Sequence, residues 1–409
     1  MKGAQALARD LSSESGHHEL VQEQISILHA DEFERSCAMK WLTGLIAHSD
    51  EWTELGVNDG DVASQECRNR ERVVERASAL LAACSGSSAC GAVTRSFTYY
   101  PRLSYQQGEW KSGTSSIMPI HIHLRDGSFS AQDQTALGLQ TWGSAPTLAQ
   151  LVSGNPGMYG LDLAERFGGD DEGRNSVEHR GNIIFKVLEL GAGTGLLSLF
   201  TWRILEKQII DHAQSGRALS VSSSVTATDF HPSVLSNLNS NLTLNPPSPI
   251  MLTSCPPPLI EATFLDWNDC AVLDDEERFD VVFGVDVIYE KEHAQLIRGV
   301  VESVLRRPTM NRSENEGTGA TKRHTGGGIF WLIYPLRPTH GFEVESTQMV
   351  FGPVVEASRC PENAGEGDEE RDWCLGVLDI QSLEKSKGIG RGDNVSYRVL
   401  KIGWVSKAR

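Results

Sequence analysis

The chain has 409 residues, a formal net charge of −17, 39% hydrophobic and 22% charged residues, which suits a globular protein with one large domain and a smaller one. The acidic balance and the lack of a long basic stripe disfavour a nucleic-acid partner; acidity draws a basic partner or simply keeps the protein in solution. No run approaches the ~18 apolar residues of a membrane span, and "MKGAQALARDLSSESG", interrupted by Arg9 and Asp10, does not read as a signal peptide, so a cytoplasmic location, with the nucleus as the alternative, is expected by elimination.

Residues 1–95 read as a mainly helical module. Phe33, Cys37, Trp41 and Leu45 recur every four residues, and Val73, Ala77, Leu80, Leu81 and Cys84 share one face of a later segment. Both stripes predict packing surfaces. "TRSFTYYPRLSY" and "IMPIHIHLRDG" predict strands, with His121 and His123 on one face. No further ligand lies near them, so an exposed strand face is expected rather than a metal pair. The eight cysteines show no CxxC spacing, and no metal site is expected.

Residues 96–409 predict a second domain, and from Phe185 its strands alternate with helices. That alternation is the pattern of a parallel sheet covered by helices. "NIIFKVLEL" is its first strand and "TGLLSLFTWRILEKQ" a helix with Leu197, Phe200 and Ile204 inside. "SVTATD" is the second strand, followed by a helix opened by Pro232, a residue suited to a first turn. "LIEATFL", "FDVVFGV" and "GGIFWLIYPL" are the third to fifth strands, with the helix "KEHAQLIRGVVESVL" between the last two. "DWCLGVLDI" and "VSYRVLKIGW" predict an antiparallel pair at the sheet edge. Polar or proline-rich insertions at 166–182, 245–258, 307–328 and 359–372 read as mobile loops, where added length costs little.

The first strand runs directly into "GAGTG", with Gly191, Gly193 and Gly195, and then into a helix. Strand, glycine turn and helix form the nucleotide site of doubly wound sheets. The spacing is not the G-x-G-x-x-G of a dinucleotide fingerprint. Asp229 ends the second strand, where a carboxylate accepts both hydroxyls of a ribose, whether of NAD or of S-adenosylmethionine. Glu189 opens the glycine run and brings negative charge, which suits a sulfonium or an ammonium better than a pyrophosphate. Asp266 and Trp267 follow the third strand, where an adenine would lie; the indole offers a wall and the carboxylate an acceptor for the exocyclic amine. A core tryptophan beside a solvated acid is the equally simple alternative. Asp286 and Tyr289 end "FDVVFGVDVIYE", just past the fourth strand, where open α/β sheets place their ligands. Alone, that pair would read as a helix cap followed by a buried aromatic.

Four stretches together resemble the seven-β-strand, class I methyltransferases: "GLQTWGSAPTLAQLV", "VLELGAGTGLLSL", "TATDFHPSVLSNLNSN" and "FDVVFGVDVIYE". The resemblance covers roughly residues 119 to 404. It is strongest to the lysine methyltransferases of translation elongation factors and chaperones, through the D-x-x-Y ending. It implies an α/β, doubly wound, mostly parallel seven-stranded Rossmann-like sheet of order 3-2-1-4-5-7-6 with an antiparallel last strand. It implies S-adenosyl-L-methionine as cofactor and a protein substrate such as an elongation factor, with no metal, nucleic acid or membrane partner and a monomeric chain. It also implies that Trp142 closes over the methionine end of the cofactor, although by itself Trp142 reads equally as a core anchor. In this setting Asp286 captures and orients a lysine amine, and Tyr289 walls the pocket. Three rival readings remain at this stage: a small-molecule N-methyltransferase, a methyltransferase-like scaffold without activity, and an NAD-dependent oxidoreductase.

Overall fold

The computed structural model describes residues 40–46, 48, 69–70, 72–74, 76–78, 93–103, 118–127, 136–167, 183–215, 221–249, 257–288, 292–310, 324–325, 327–336, 342–355, 372–384 and 396–406. The chain separates into two compact units, Met1–Val93 with Ser386–Gly388, and Thr94–Lys385 with Ile389–Arg409.

In the first unit, residues 40–46 and the described positions between 69 and 78 are helical. Here the packing stripes need correction. Trp41 is 64% exposed while its neighbour Leu42 is 6% exposed, and Val73 is 44% exposed while Ala77 is 4%. A four-residue repeat identifies a stripe but not which side of the helix meets its neighbours. Near Leu42 the buried side lies one residue, about 100°, further round. Phe33, Cys37, Leu80, Leu81 and Cys84 lie outside the described residues.

In the second unit β1 (Val93–Tyr99) and β2 (Ile120–Asp126) form a two-stranded sheet. β2 alternates strictly between buried and exposed positions, which puts His121 and His123 on its outer face. There they bond to Thr98 and Ser96, at 3.0 and 2.9 Å. The helix α1 (Ser144–Gly154) and the short α2 (Leu163–Phe167) follow.

The main sheet is built from β3 (Ile183–Leu190), β4 (Val221–Asp229), β5 (Leu259–Phe264), β6 (Val281–Val285), β7 (Ile329–Leu336), β8 (Trp373–Glu384) and β9 (Ser396–Ser406). Its order is β5-β4-β3-β6-β7-β9-β8. The five strands from β5 to β7 are parallel, while β9 runs antiparallel to both β7 and β8. This is the expected order, 3-2-1-4-5-7-6, of a Rossmann-like methyltransferase sheet. The helices α3 (Leu196–Gln214), α4 (Pro232–Leu244), α5 (His293–Val304) and α6 (Phe342–Phe351) complete the unit.

Alternation along the central strands feeds two cores. Phe185, Val187, Trp331 and Ile333 face α3, α1 and the small sheet, whereas Leu188, Leu190, Phe330 and Leu332 face α5 and α6. Every residue of β6 is buried, as suits a central parallel strand covered on both faces. α3 is buried almost all round, because it lies between the sheet and a layer formed by α1 and β2.

α4 reaches the small sheet through two side-chain amides one turn apart. Asn245 accepts from His123 N–H and donates to the His123 carbonyl; Asn241 does the same with Arg125. The insertion at 307–328 also needs correction, since it is not simply a loop. Thr309 pairs with Thr325 and Met310 with His324 in a short antiparallel ladder.

Candidate active site

β3 ends in the glycine turn because only glycine accepts the backbone there at little cost. Gly191, Gly193 and Gly195 have φ of +61°, +57° and +84°. Gly195 is the N-cap of α3. A Cβ on Gly193 would stand 3.0 Å from the Gly138 carbonyl, so a short 3-10 turn, Ala136–Leu139, lies against the loop.

Asp229 closes β4 directly beside this turn. It is 8% exposed and accepts from the backbone N–H of Gly193 at 3.2 Å and of His231 at 3.1 Å. Burial raises its pKa, and the N–H donors of His231, Gly193 and Phe230 oppose the rise. Phe230, the next residue, is 45% exposed at the strand tip.

Glu189 lies deeper than the sequence implied. Its carboxyl takes a hydrogen bond from Ser198 Oγ on α3 and is 3% exposed. Burial pushes its pKa up to about 7, against the Ser198 bonds and with help from the nearby Asp229 charge. The negative charge expected at Glu189 is therefore weakened near neutral pH, and its carboxyl joins β3 to α3.

Trp267 stands at the other side of the turn. A Cβ on Gly191 would lie 3.0 Å from Val287 Cγ1 and 3.4 Å from Trp267 Cζ2, and the indole meets the His293 ring edge-on at 5.7 Å. Asp266 accepts from the backbone and side-chain amides of Asn268, at 2.9 and 3.0 Å, and these bonds lower its pKa. Its first task is thus to close its own turn.

Asp286 follows β6 with φ of +55°, the one non-glycine residue with positive φ among those described. Its N–H donates to the Ile333 carbonyl of β7 at 3.0 Å. Its carboxylate accepts from Ser144 Oγ at 2.6 Å and from Ser144 N–H at 3.3 Å. Tyr289 lies outside the described residues. Trp142 is half-buried, and its indole N–H donates to the Leu137 carbonyl at 3.0 Å, which ties it to the 3-10 turn.

The structure therefore brings Gly191, Gly193, Asp229, Trp267 and Asp286 to the carboxyl ends of β3, β4, β5 and β6. It also adds residues that sequence reasoning missed. Thr141 Oγ1 donates to Asp126 Oδ1 at 2.7 Å and shares a 2.9 Å hydrogen bond with Thr194 Oγ1 of the glycine turn. Asp126 also pairs with Arg95 at 2.9 Å. The stretch from Gly138 to Ser144 thus touches both the glycine turn and Asp286. The "QTWGSA" stretch was the available signal, but nothing in it specified these partners. Among the described residues no cluster of histidine, cysteine or acidic side chains could hold a metal, and no helix is long and apolar enough to cross a membrane.

Residues 132–311 match the family model described as lysine methyltransferase. The protein-lysine N-methyltransferase EFM2 of Saccharomyces cerevisiae is 27% identical over 195 residues, which are 47% of this chain and 38% of that protein. The chain thus spans well under half the length of this curated relative. Among solved structures, an O-methyltransferase from Bacillus cereus in complex with SAH covers 53% of this chain and 73% of its own at 11% identity and a TM-score of 0.28. TYW2 of P. horikoshii in complex with MeSAdo covers 56% and 59% at 16% identity and a TM-score of 0.26.

Proposed function

We propose that this chain, whose residues 132–311 match the lysine methyltransferase family model, is an S-adenosylmethionine-dependent protein-lysine N-methyltransferase. The observation that carries the reading is the placement of Asp229 and Asp286 on either side of one glycine turn, at the ends of β4 and β6, the two strands that flank β3.

The residues present fit S-adenosylmethionine. Asp229 is a buried carboxylate held by backbone N–H groups, with acceptor capacity for ribose hydroxyls. Gly191 and Gly193 let the turn lie close against Trp267 and Gly138, which border it, and Trp267 and Phe230 offer ring faces for a base. Glu189 holds the turn from below through Ser198 rather than meeting the ligand.

When bound, S-adenosylmethionine would supply an electrophilic methyl group to the amine and would keep the C–S bonding pair at sulfur, and the amine's surplus proton would leave to water. The chain's own residues must therefore present a neutral amine in line. A free lysine has a pKa of about 10.4, which a partly apolar pocket lowers and a carboxylate raises. Asp286 serves capture and orientation, with Tyr289 as a pocket wall, and positioning supplies most of the acceleration.

The four sequence motifs support a translation elongation factor, or a similar cytosolic protein, as the substrate, and hence a cytosolic enzyme. The acidic chain, at −17, suits a basic substrate segment. The N-terminal unit selects that substrate. A chain begun just ahead of Val93 keeps β1 whole and should bind the cofactor normally yet methylate its target poorly; full activity would give the unit another role.

The test of the reading is incubation of the full chain and labelled S-adenosylmethionine with a cytosolic extract, followed by mass spectrometry of the labelled band. Methyl-lysine in a protein is the expected product. Label found only in small molecules, or none transferred, would overturn the assignment.

A further inference from the structure

Asp286 occupies a costly conformation. Left-handed backbone is disfavoured for L-residues, less so for aspartate than for most, and such a conformation persists where surrounding structure imposes it. Here the imposing structure is visible. The N–H of Asp286 is fixed to Ile333 of the neighbouring strand, and its carboxylate is fixed to Ser144.

Ser144 is the first residue of α1 and is 1% exposed. The N-cap position ahead of it is Gly143, which has no side chain to cap the helix. Asp286, 142 residues away in sequence, accepts from the Ser144 N–H instead. One carboxylate therefore closes the end of α1, and α1 in turn fixes both oxygens of that carboxylate.

The segment leading into α1 is itself anchored. Thr141 joins Asp126 and the glycine turn through Thr194, and Gly138 lies against Gly193. A carboxylate held by this segment is thereby held in register with the glycine turn that contacts the cofactor.

We propose that Ser144 is a positioning residue for the methyl transfer: it aims the Asp286 carboxylate at the acceptor amine and keeps it in register with the cofactor site. This rests on the reading of Asp286 given above. The hydroxyl bond to Oδ1, at 2.6 Å, sets the rotation of the carboxylate, and the weaker 3.3 Å bond from the N–H steadies Oδ2. Only the hydroxyl bond depends on the side chain. Ser144→Ala removes it and leaves the backbone donor in place.

The experiment is a double-mutant cycle on the full chain with Ser144→Ala, Asp286→Ala and the pair combined. Three quantities are read: single-turnover transfer of labelled methyl to the extract band that the wild type labels, cofactor affinity by calorimetry, and the urea midpoint. Ser144→Ala should slow transfer roughly 10- to 100-fold, as expected for a small misplacement, and leave cofactor affinity unchanged. Added to Asp286→Ala it should slow transfer no further, because a residue that acts through another has nothing left to act on. Ser144→Cys, with a similar volume and a weaker donor, should lie between serine and alanine. Wild-type transfer by Ser144→Ala, or a loss that multiplies with that of Asp286→Ala, would reduce Ser144 to helix structure alone. A Cys variant no faster than the Ala variant would count against the hydroxyl bond. If the wild type transfers no label to any protein, the methyltransferase reading itself fails, and the positioning role fails with it.

Discussion

The backbone N–H of Gly193 donates to Asp229 Oδ2 at 3.2 Å, which ties the turn after β3 to the tip of β4. Asp229 is therefore both a ribose acceptor and a strut for the turn. Asp229→Ala should weaken S-adenosylmethionine binding by roughly 1.5–3 kcal/mol, the scale of a lost charge-assisted bond. Calorimetric titration of the folded variant measures it. Unchanged affinity would remove Asp229 from the cofactor site.

A second expectation concerns the end of the same turn. Gly195 has φ of +84°, and a Cβ added there would stand 2.3 Å from Leu238 Cδ1, in a side chain that is fully buried. Gly195→Ala adds left-handed strain to overpacking and should lower stability by about 2–4 kcal/mol. The urea midpoint reads this directly. An unshifted midpoint would mean that α4 yields freely at Leu238.

Glu189 makes stability depend on pH in a definite direction. Its folded pKa, about 7, lies above the ordinary value of 4.5. The folded state therefore holds this proton where the unfolded chain has lost it. Stability from this group is complete below about pH 4.5 and is lost as pH rises through 7, a change of about 3 kcal/mol. Glu189→Gln keeps the Ser198 contact and removes the titration. Between pH 5 and pH 8 the variant's urea midpoint should fall by less than that of the wild type. Parallel pH curves would show that the carboxyl is ionised throughout.

For the transfer step itself, Asp286→Ala should leave cofactor affinity nearly intact and slow methyl transfer on the order of 100-fold. Tyr289→Phe should be milder than Tyr289→Ala, because the ring face persists when the hydroxyl goes. Single-turnover rates for the three variants test both statements. Transfer at the wild-type rate by Asp286→Ala would leave that residue only its bond to the end of α1.

The strands and the glycine turn were legible in the sequence, because buried parallel strands such as "VVFGV" have few alternatives and a glycine turn between strand and helix is a local pattern, whereas the order of the strands came only with the resemblance to class I methyltransferases. The positions of Asp229 and Asp286 were legible for the same reason, since Asp229 is the charged residue that ends β4 and Asp286 the first one after β6. Ser144, Thr141 and Asp126 were not. Their partners lie 142, 53 and 15 residues away, and nothing local fixes which strand end meets which helix. Glu189 was placed correctly along the chain but given the wrong kind of environment, because alternation along β3 does not reveal that Ser198 lies opposite its carboxyl. The first helical stripe failed similarly at Trp41, because periodicity defines a face and only packing decides which face is used; in the second, Ala77 is buried as expected and only Val73 is exposed.

The amides of Asn241 and Asn245 have a consequence for how the chain assembles. Each offers one acceptor and one donor to a residue of β2, so along one flank of that strand a helix imitates the backbone of a neighbouring strand. A strand whose polar groups are answered in this way no longer serves as a template for a second molecule, which limits self-association. It also makes the two elements interdependent. The amides lie one helical turn apart and align with His123 and Arg125 only when α4 is wound, so exchange of these two backbone hydrogens with solvent is governed by the unwinding of a helix to which they do not belong.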